Sequence, residues 1–158
     1  MSVDHVREYL GQFNAQDRIL EFDVSSATVE LAAQALHCEP GRIAKTLSFM
    51  VGEEPILIVF GGEARIDNRK YKQQFGCKAK MMSAEELDRF TGLHFGGVCP
   101  FGIPENVSIY LDESLRLYDP IYPAAGSESS AVRVTCKELE RFSRAKGWID
   151  VSKLPQKD

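Results

Sequence analysis

The chain has 158 residues, of which 44% are hydrophobic and 27% are charged, and its formal net charge is -4. This length and composition are typical of one globular domain, which we assign to residues 1–158. The acidic balance disfavours broad, sequence-independent binding to a nucleic-acid backbone, and we expect no binding to DNA, because that mode needs a surplus of lysine and arginine.

The N-terminal stretch carries Asp4, Arg7 and Glu8 where a signal peptide would have an apolar run, and no segment is long and apolar enough to span a membrane. We therefore expect a soluble, cytoplasmic protein with no membrane partner. The four cysteines and three histidines are scattered, with neither a CxxC pair nor metal-ligand spacing. We expect reduced thiols, no metal and no cofactor.

Apolar spacings of three and four, together with helix-end signals, predict five helices. The first has its apolar face at Val3, Val6, Leu10 and Phe13. The other four follow candidate caps at Ser25 to Thr28, at Asp67, at Ser83 and at Thr135. Two of these begin with a capping box, and Gly76 and Gly92 end the third and fourth helices.

Five stretches have the length and the pattern of strands: "LEFDV", "GRIAKTLSFMV", "PILIVFGG", "VSIYLD" and "AVRVT". Helices and strands are interleaved irregularly, and some strand pairs are separated by too little chain for a crossover. We therefore predict an α/β (α+β) fold with a mixed, curled, barrel-like sheet surrounded by helices.

Lys45 interrupts the apolar stripe of the second strand. Because side chains repeat every two residues in a strand, it shares a face with Leu47 and Phe49. One reading is a structural lysine whose stem lies on the core and whose ammonium reaches water. The other is a functional lysine, matched by a phosphate, a carboxylate or a polarised carbonyl.

Two loops have the composition of ligand-binding loops. "FGGVCPFG" places three glycines and a proline in eight residues, and glycine allows backbone N–H groups to approach a ligand closely. "PAAGSESS" has a similar loop composition and also contains serine hydroxyl groups, which can donate to a polar ligand. Each loop, taken alone, reads equally as an ordinary turn. Cys99 has no evident histidine partner, so we expect an inert thiol, and His94 alone is weak support for a general base.

Five motifs together resemble the YbaK/ProX family of aminoacyl-tRNA deacylases, which is related to the editing insertion domain of bacterial prolyl-tRNA synthetases. They are "IAKTLSF", "ARIDNRK", "GGVCPFG", "YLDESL" and "PAAGSESSAV", in this order, from about Ser26 to Val134. The sequences of these motifs are most similar to those of the free-standing ProX-like branch. The resemblance implies a curled, barrel-like fold and metal-independent hydrolysis of the ester between a wrong amino acid and the tRNA 3′-terminal adenosine.

The resemblance also implies which residues act. The catalytic residues would be Lys45, Gly96 and Gly97. Substrate contacts would come from Thr46, Val98, Pro100, Phe101, Gly102, Ala125, Gly126, Ser127, Ser129 and Ser130. A basic segment between Arg65 and Lys80 would touch the terminal phosphates of tRNA, with Arg69 and Lys70 as the contacts. The implied partners are the aminoacylated acceptor end of tRNA and a synthetase such as prolyl-tRNA synthetase.

The sequence departs from some relatives, which have a histidine in the second loop and an asparagine after the lysine. Here Ala125 lies near the first position and Thr46 at the second. Val98, Phe101 and the Ala124/Ala125 pair favour a small apolar pocket for alanine, a short unbranched analogue or serine, and we expect the tRNA to be tRNA-Pro. Two alternatives stay open: a non-catalytic module that binds aminoacyl-tRNA or a synthetase, and a Schiff-base enzyme that uses Lys45 as nucleophile.

Overall fold

Five helices surround a mixed sheet in the computed structural model, which describes residues 2–155. They are α1 (Val3–Gly11), α2 (Val29–Leu36), α3 (Asn68–Phe75), α4 (Ala84–Thr91) and α5 (Cys136–Ser143). All five predicted helices are therefore confirmed. None of the helices within these residues is long and apolar enough to cross a membrane.

The predicted helix ends are formed by the expected side chains. Of the three candidate caps for α2, Thr28 accepts the hydrogen bond, from Leu31 N–H. Asp67 caps α3, and both α4 and α5 begin with complete capping boxes. Gly76 and Gly92 follow α3 and α4 in the left-handed conformation that ends a helix.

Nine strands form one five-stranded sheet and two ribbons within the described residues. The strands are β1 (Ile19–Glu21), β2 (Ile43–Val51), β3 (Glu54–Gly61), β4 (Arg65–Ile66), β5 (Ser108–Asp112), β6 (Tyr122–Pro123), β7 (Ser130–Val132), β8 (Gly147–Ile149) and β9 (Ser152–Lys153). The main sheet has the order β6-β2-β3-β5-β8, while β1 pairs with β7 and β4 with β9. Only β2 and β3 are antiparallel neighbours in the main sheet, which confirms the predicted mixed sheet.

The centre of the sheet is buried on both faces. Ile58 and Phe60 of β3 point into a cluster with Phe49 and Tyr71, whereas Val59 joins the larger cluster on the opposite face. β2 lies next to β3, in a register that pairs Lys45 with Phe60. The Cα of Lys45 therefore lies in the buried part of the sheet, as its position in the apolar stripe predicts.

Candidate functional site

β2 has one open stretch along its outer edge. β6 pairs with this edge at residues 43 and 44, and beyond the open stretch Ser48 and Met50 make backbone hydrogen bonds to the segment 80–82. Among residues 2–155, nothing pairs with this edge between 45 and 47. Because backbone groups alternate between the two edges of a strand, Thr46 directs its N–H and C=O into the gap, like Ser48 and Met50 further along.

Three loops meet in front of this gap. The segment after β1 bonds to the loop before β7, through Phe22 N–H to the Ser129 carbonyl at 2.8 Å and Ser26 Oγ to the Glu128 carbonyl at 3.2 Å. The glycine loop lies against both. A Cβ built on Gly96 would lie 3.2 Å from that of Ala27. The three loops are thus held together by close backbone approach.

The gap and the loops enclose a cleft of about 300 Å³. Its walls are mostly apolar, and come from the start of α2, the open stretch of β2, the glycine loop and the segment that leads into β7. The lining residues used below are Lys45, Thr46, Phe95, Gly96, Val98, Tyr122, Ala124 and Ser130. This volume lies at the lower end of the range for small-molecule sites.

Lys45 lies between this cleft and a second, polar groove. Its Nζ donates to the Gly62 carbonyl at 3.2 Å, which is its one hydrogen bond within the described part of the chain, so two N–H groups remain for a ligand. The groove, of about 380 Å³, contains Glu30 and Arg65. Burial lowers the pKa of Lys45, Arg65 lowers it further, and Glu30 opposes the shift.

Thr46 lines the cleft and has a buried hydroxyl that is not hydrogen-bonded within the described residues. Its side chain is 8% exposed, and its Oγ1 has no hydrogen-bond partner among the residues that the structure describes. Buried hydroxyl groups are normally paired, because removing one from water without a partner costs about 1–3 kcal/mol. Thr46 thus combines this unpaired hydroxyl with backbone groups at the open edge that are available to a polar ligand.

The comparison with protein families agrees with this architecture. Residues 24–142, which contain the whole cleft, match the aminoacyl-tRNA editing domain. The chain belongs to this family. The editing domain is thus supported both by the five sequence motifs and by the family match over three quarters of the chain.

Relatives of the editing domain include proteins of similar length. The protein YwhH of Bacillus subtilis, itself uncharacterized, is 48% identical over 154 residues, which span 97% of this chain and 98% of that protein. EbsC of Enterococcus faecalis, a candidate Cys-tRNA(Pro)/Cys-tRNA(Cys) deacylase, is 31% identical over 110 residues, or 68% of this chain and 66% of EbsC.

A solved structure has the same fold as the editing domain. It is the crystal structure of a candidate trans-editing enzyme for prolyl-tRNA synthetase, 30% identical in sequence, with a TM-score of 0.86. The match covers 96% of each chain. The predicted fold is therefore confirmed at the level of this structural family.

Of the thirteen residues predicted as catalytic or substrate-binding in the editing domain, five line the cleft and eight do not. Lys45, Thr46, Gly96, Val98 and Ser130 are lining residues. Three of the predicted residues are buried away from the cleft, namely Pro100, Phe101 and Ala125. The last two belong to the main core. Of the predicted Ala124/Ala125 pair, Ala124 alone lines the cleft.

The remaining residues of the two loops hold the loops in place. Gly97 donates its N–H to the His94 carbonyl at 3.1 Å and packs on Ser127, so this N–H is not free for a substrate carbonyl. Gly102 and Gly126 pack against α1 instead of the cleft. Ser127 and Ser129 make hydrogen bonds within their own loop, and Ser127 Oγ donates to Ser130 Oγ at 2.8 Å.

The predicted phosphate contacts lie outside the cleft. Lys70 Nζ binds Asp150 Oδ1 at 3.0 Å and the Ser152 carbonyl at 2.8 Å, which fixes α3 to the C-terminal segment. The Lys70 ammonium therefore has partners within the protein, and its predicted contact with phosphate stays a prediction. Arg69 is exposed on the same helix, and its role stays a prediction.

Cys99 and His94 do not line the cleft. Cys99 is fully buried, and burial raises the pKa of its thiol to about 12, as expected for an inert cysteine. His94 is exposed and contributes its carbonyl to the turn of the glycine loop. In residues 2–155, no group of three or more His, Cys, Asp or Glu side chains is arranged to hold a metal ion.

The sequence-based prediction missed two aromatic residues of the site, Phe95 and Tyr122. Phe95 begins the glycine loop and is 53% exposed at the cleft. Tyr122 lies on β6, and its hydroxyl makes no hydrogen bond within the described residues. Phe95 had a usable signal, since it is a large apolar residue beside a pair of glycines, whereas the two-residue strand of Tyr122 has no periodic pattern.

Proposed function

We propose that this protein is a free-standing editing deacylase that hydrolyses the ester of a mischarged tRNA, namely tRNA-Pro carrying a small non-cognate amino acid. The observation that carries the proposal is the open edge of β2. There, Lys45, whose half-buried ammonium has two unused N–H groups, and Thr46, whose buried hydroxyl has no partner among the described residues, both line a small cleft with apolar walls. Family membership supplies the class of substrate.

In the proposed reaction, water attacks the ester carbonyl carbon. The C–O bond to the tRNA ribose then breaks, which releases the free amino acid and returns a hydroxyl to the ribose. The Lys45 ammonium orients the ester and stabilises the negative charge that develops on the carbonyl oxygen, and the Thr46 N–H replaces Gly97 as the backbone donor. The reaction as proposed uses no metal and no covalent intermediate.

The cleft supports a preference for small amino acids. Val98 and Ala124 provide short apolar walls, and the total volume of about 300 Å³ leaves little room for a long side chain. Alanine, serine, cysteine and 2-aminobutyrate fit this description. Discrimination among them by packing alone is modest, because one methylene changes binding by about 1–3 kcal/mol.

Two relatives support the choice of tRNA. The name of EbsC refers to Cys-tRNA(Pro), and the structural relative is described as acting for prolyl-tRNA synthetase. We accordingly propose the acceptor end of tRNA-Pro as the binding partner, with prolyl-tRNA synthetase as a second partner that delivers it. The net charge of -4 agrees with contact limited to the end of the tRNA.

One observation favours the alternative of a binding module without turnover. The Gly97 N–H, an implied donor to the substrate carbonyl, is occupied by the His94 carbonyl. A site with fewer donors for the developing charge would hold an aminoacyl-tRNA without hydrolysing it. The deacylase hydrolyses the ester in a reaction that depends on Lys45, whereas the binding module does not hydrolyse it.

The deciding experiment is deacylation of tRNA-Pro charged separately with proline, alanine, cysteine, serine and 2-aminobutyrate. We expect hydrolysis of one or more mischarged species and a loss of at least about 100-fold with Lys45→Ala, since one lost electrostatic contact to a developing oxyanion has this effect. Lys137→Ala, an exposed lysine on α5, is the matched control and should behave as wild type.

Each outcome of this experiment separates the two functions. Hydrolysis that survives Lys45→Ala would contradict the proposed site. No hydrolysis of any species by the wild-type protein, with retained binding of the same tRNAs, would favour the binding module.

A further inference from the structure

Phe95 is an aromatic ring without a partner at the mouth of the cleft. Its side chain is 53% exposed, and no other aromatic ring of the described residues packs against it. A single exposed apolar side chain needs no explanation. This one, however, lines the same cleft as Thr46, which has backbone groups at the open edge of β2 and a buried hydroxyl without a hydrogen-bond partner among the described residues.

The turn that carries Phe95 is fixed from both sides. Gly96 has a φ of +94°, a conformation that favours glycine, and lies close to Ala27. Gly97 closes the turn with its hydrogen bond to the His94 carbonyl. The ring is therefore presented on a constrained backbone, which reduces the entropy that is lost when a ligand packs on it.

The size of the cleft limits which part of the substrate reaches the ring. In the proposed function, an aminoacyl group and the ribose that carries it enter this cleft of about 300 Å³, with the ester near Lys45 and Thr46. The purine base attached to that ribose then remains outside, at the mouth. Phe95 is the exposed aromatic side chain that lines this cleft.

We propose that the Phe95 ring stacks on the adenine of the tRNA 3′-terminal adenosine. This inference rests on the proposed function, because it takes aminoacyl-tRNA as the ligand. Aromatic rings stack on any base, and each such stack contributes about 1–3 kcal/mol of binding free energy. Stacking would orient the ester towards Lys45 without help from the tRNA sequence and would account for an exposed phenylalanine in an otherwise small site.

The test uses tRNA-Pro with 2-aminopurine in place of the terminal adenine, since the fluorescence of this base is quenched when it stacks. Wild type is compared with Phe95→Ala, Phe95→Leu and Phe95→Tyr. We expect Phe95→Ala to weaken binding roughly 5- to 150-fold and to remove the quenching, which corresponds to the stacking contribution. Phe95→Tyr should retain both, because it keeps the ring.

The controls separate stacking from general apolar contact and from misfolding. Leu117→Ala removes a similarly exposed side chain that does not line the cleft, and should leave binding and quenching unchanged. Phe95→Leu keeps apolar area without a ring, and should resemble Phe95→Ala. Unchanged thermal unfolding of the Phe95 variants would show that they are folded.

The result that would overturn the inference is wild-type affinity and quenching in Phe95→Ala, or equal behaviour of Phe95→Leu and Phe95→Tyr. Because the fluorescence readout needs no turnover, its outcome can be distinguished from that of the deacylation assay. If wild type hydrolyses no mischarged tRNA but Phe95 still quenches the terminal base, the deacylase proposal fails and the stacking stands. If hydrolysis depends on Lys45 while Phe95→Ala keeps wild-type affinity and quenching, only the stacking fails.

Discussion

The charge of Lys45 is set by the residues around its ammonium. Burial among the β2 and α2 residues disfavours the charged form and is the main cause of its lowered pKa, with Arg65 acting in the same direction and Glu30 against it. The folded state therefore gives up this proton at a lower pH than the unfolded chain does. The Lys45 ammonium therefore loses its proton at a lower pH than that of a solvent-exposed lysine. Any role in a reaction that needs its positive charge is lost as the pH rises through this lowered pKa.

The neighbours of Lys45 should move its pKa in opposite directions. Replacing Arg65 by Gln removes a like charge and is expected to raise the pKa, whereas Glu30→Gln removes an attractive charge and is expected to lower it. NMR titration of the Lys45 side chain measures both shifts. Arg141→Gln is the control, because Arg141 stacks on Phe13 instead of lining the groove. A lowered pKa in Arg65→Gln would contradict the assignment.

The same shift predicts how stability depends on pH. Between the lowered pKa and the ordinary value of 10.5, the unfolded chain binds more protons at Lys45 than the folded protein does. The free energy of unfolding therefore gains a contribution that rises with pH through this window, and the penalty of burying the charge is fully present below it. Lys45→Met should remove this contribution, which urea unfolding at several pH values would detect.

At the scale of elements, the cleft depends on contact between the glycine loop and the loop before β7. A Cβ on Gly97 would lie 3.0 Å from the Ser127 backbone, closer than nearly all real Cβ contacts. We expect Gly97→Ala to separate the loops and to lower the free energy of unfolding by about 1–3 kcal/mol. Deacylation should fall as well, because Phe95 and Gly96 lie on the glycine loop and Ser130 begins β7 directly after the other loop.

A matched glycine isolates this effect. Gly147 begins β8, and a Cβ there would have nothing within 4 Å, so Gly147→Ala should leave both stability and deacylation near wild type. Urea unfolding and the tRNA assay measure the two variants side by side. Equal stability of Gly97→Ala and Gly147→Ala would show that the loops tolerate separation.

At the scale of the whole molecule, Asp112 joins the main sheet to the C-terminal segment. Its fully buried carboxylate accepts hydrogen bonds from Ser114 N–H at 2.9 Å, Val151 N–H at 2.9 Å and Ser152 Oγ at 2.6 Å. Ser152 begins β9, whose partner β4 carries Arg65. One side chain at the end of β5 thus supports the ribbon that places Arg65 in the groove beside Lys45.

Removing this carboxylate should destabilise the whole fold. Asp112→Ala leaves two buried N–H groups without their acceptor, and each such group costs about 1–3 kcal/mol, so we expect a loss of roughly 3 kcal/mol in the free energy of unfolding. Asp112→Asn keeps one acceptor oxygen and should lie between Asp112→Ala and wild type. Urea unfolding measures the series, with exposed Asp23→Ala as the control. Equal values for Asp112→Ala and Asp23→Ala would contradict this role.

The sequence by itself determined the elements and the central lysine. Capping boxes, left-handed glycines and apolar spacing are local signals, which is why all five helices and the principal strands could be predicted. Lys45 could be singled out because a charge in an apolar strand is unusual at the level of the pattern alone. The five motifs likewise identified the family, since their order is a property of the chain.

Only the tertiary structure decided which loop residues face the cleft. Phe95, Gly96 and Val98 line it while Gly97, Pro100 and Phe101 do not, and an irregular loop has no fixed period that would predict this division. The open edge at Thr46 and the engagement of Lys70 with Asp150 depend equally on contacts between distant segments. Such contacts are set by packing across the whole fold, so no local stretch of sequence contains them.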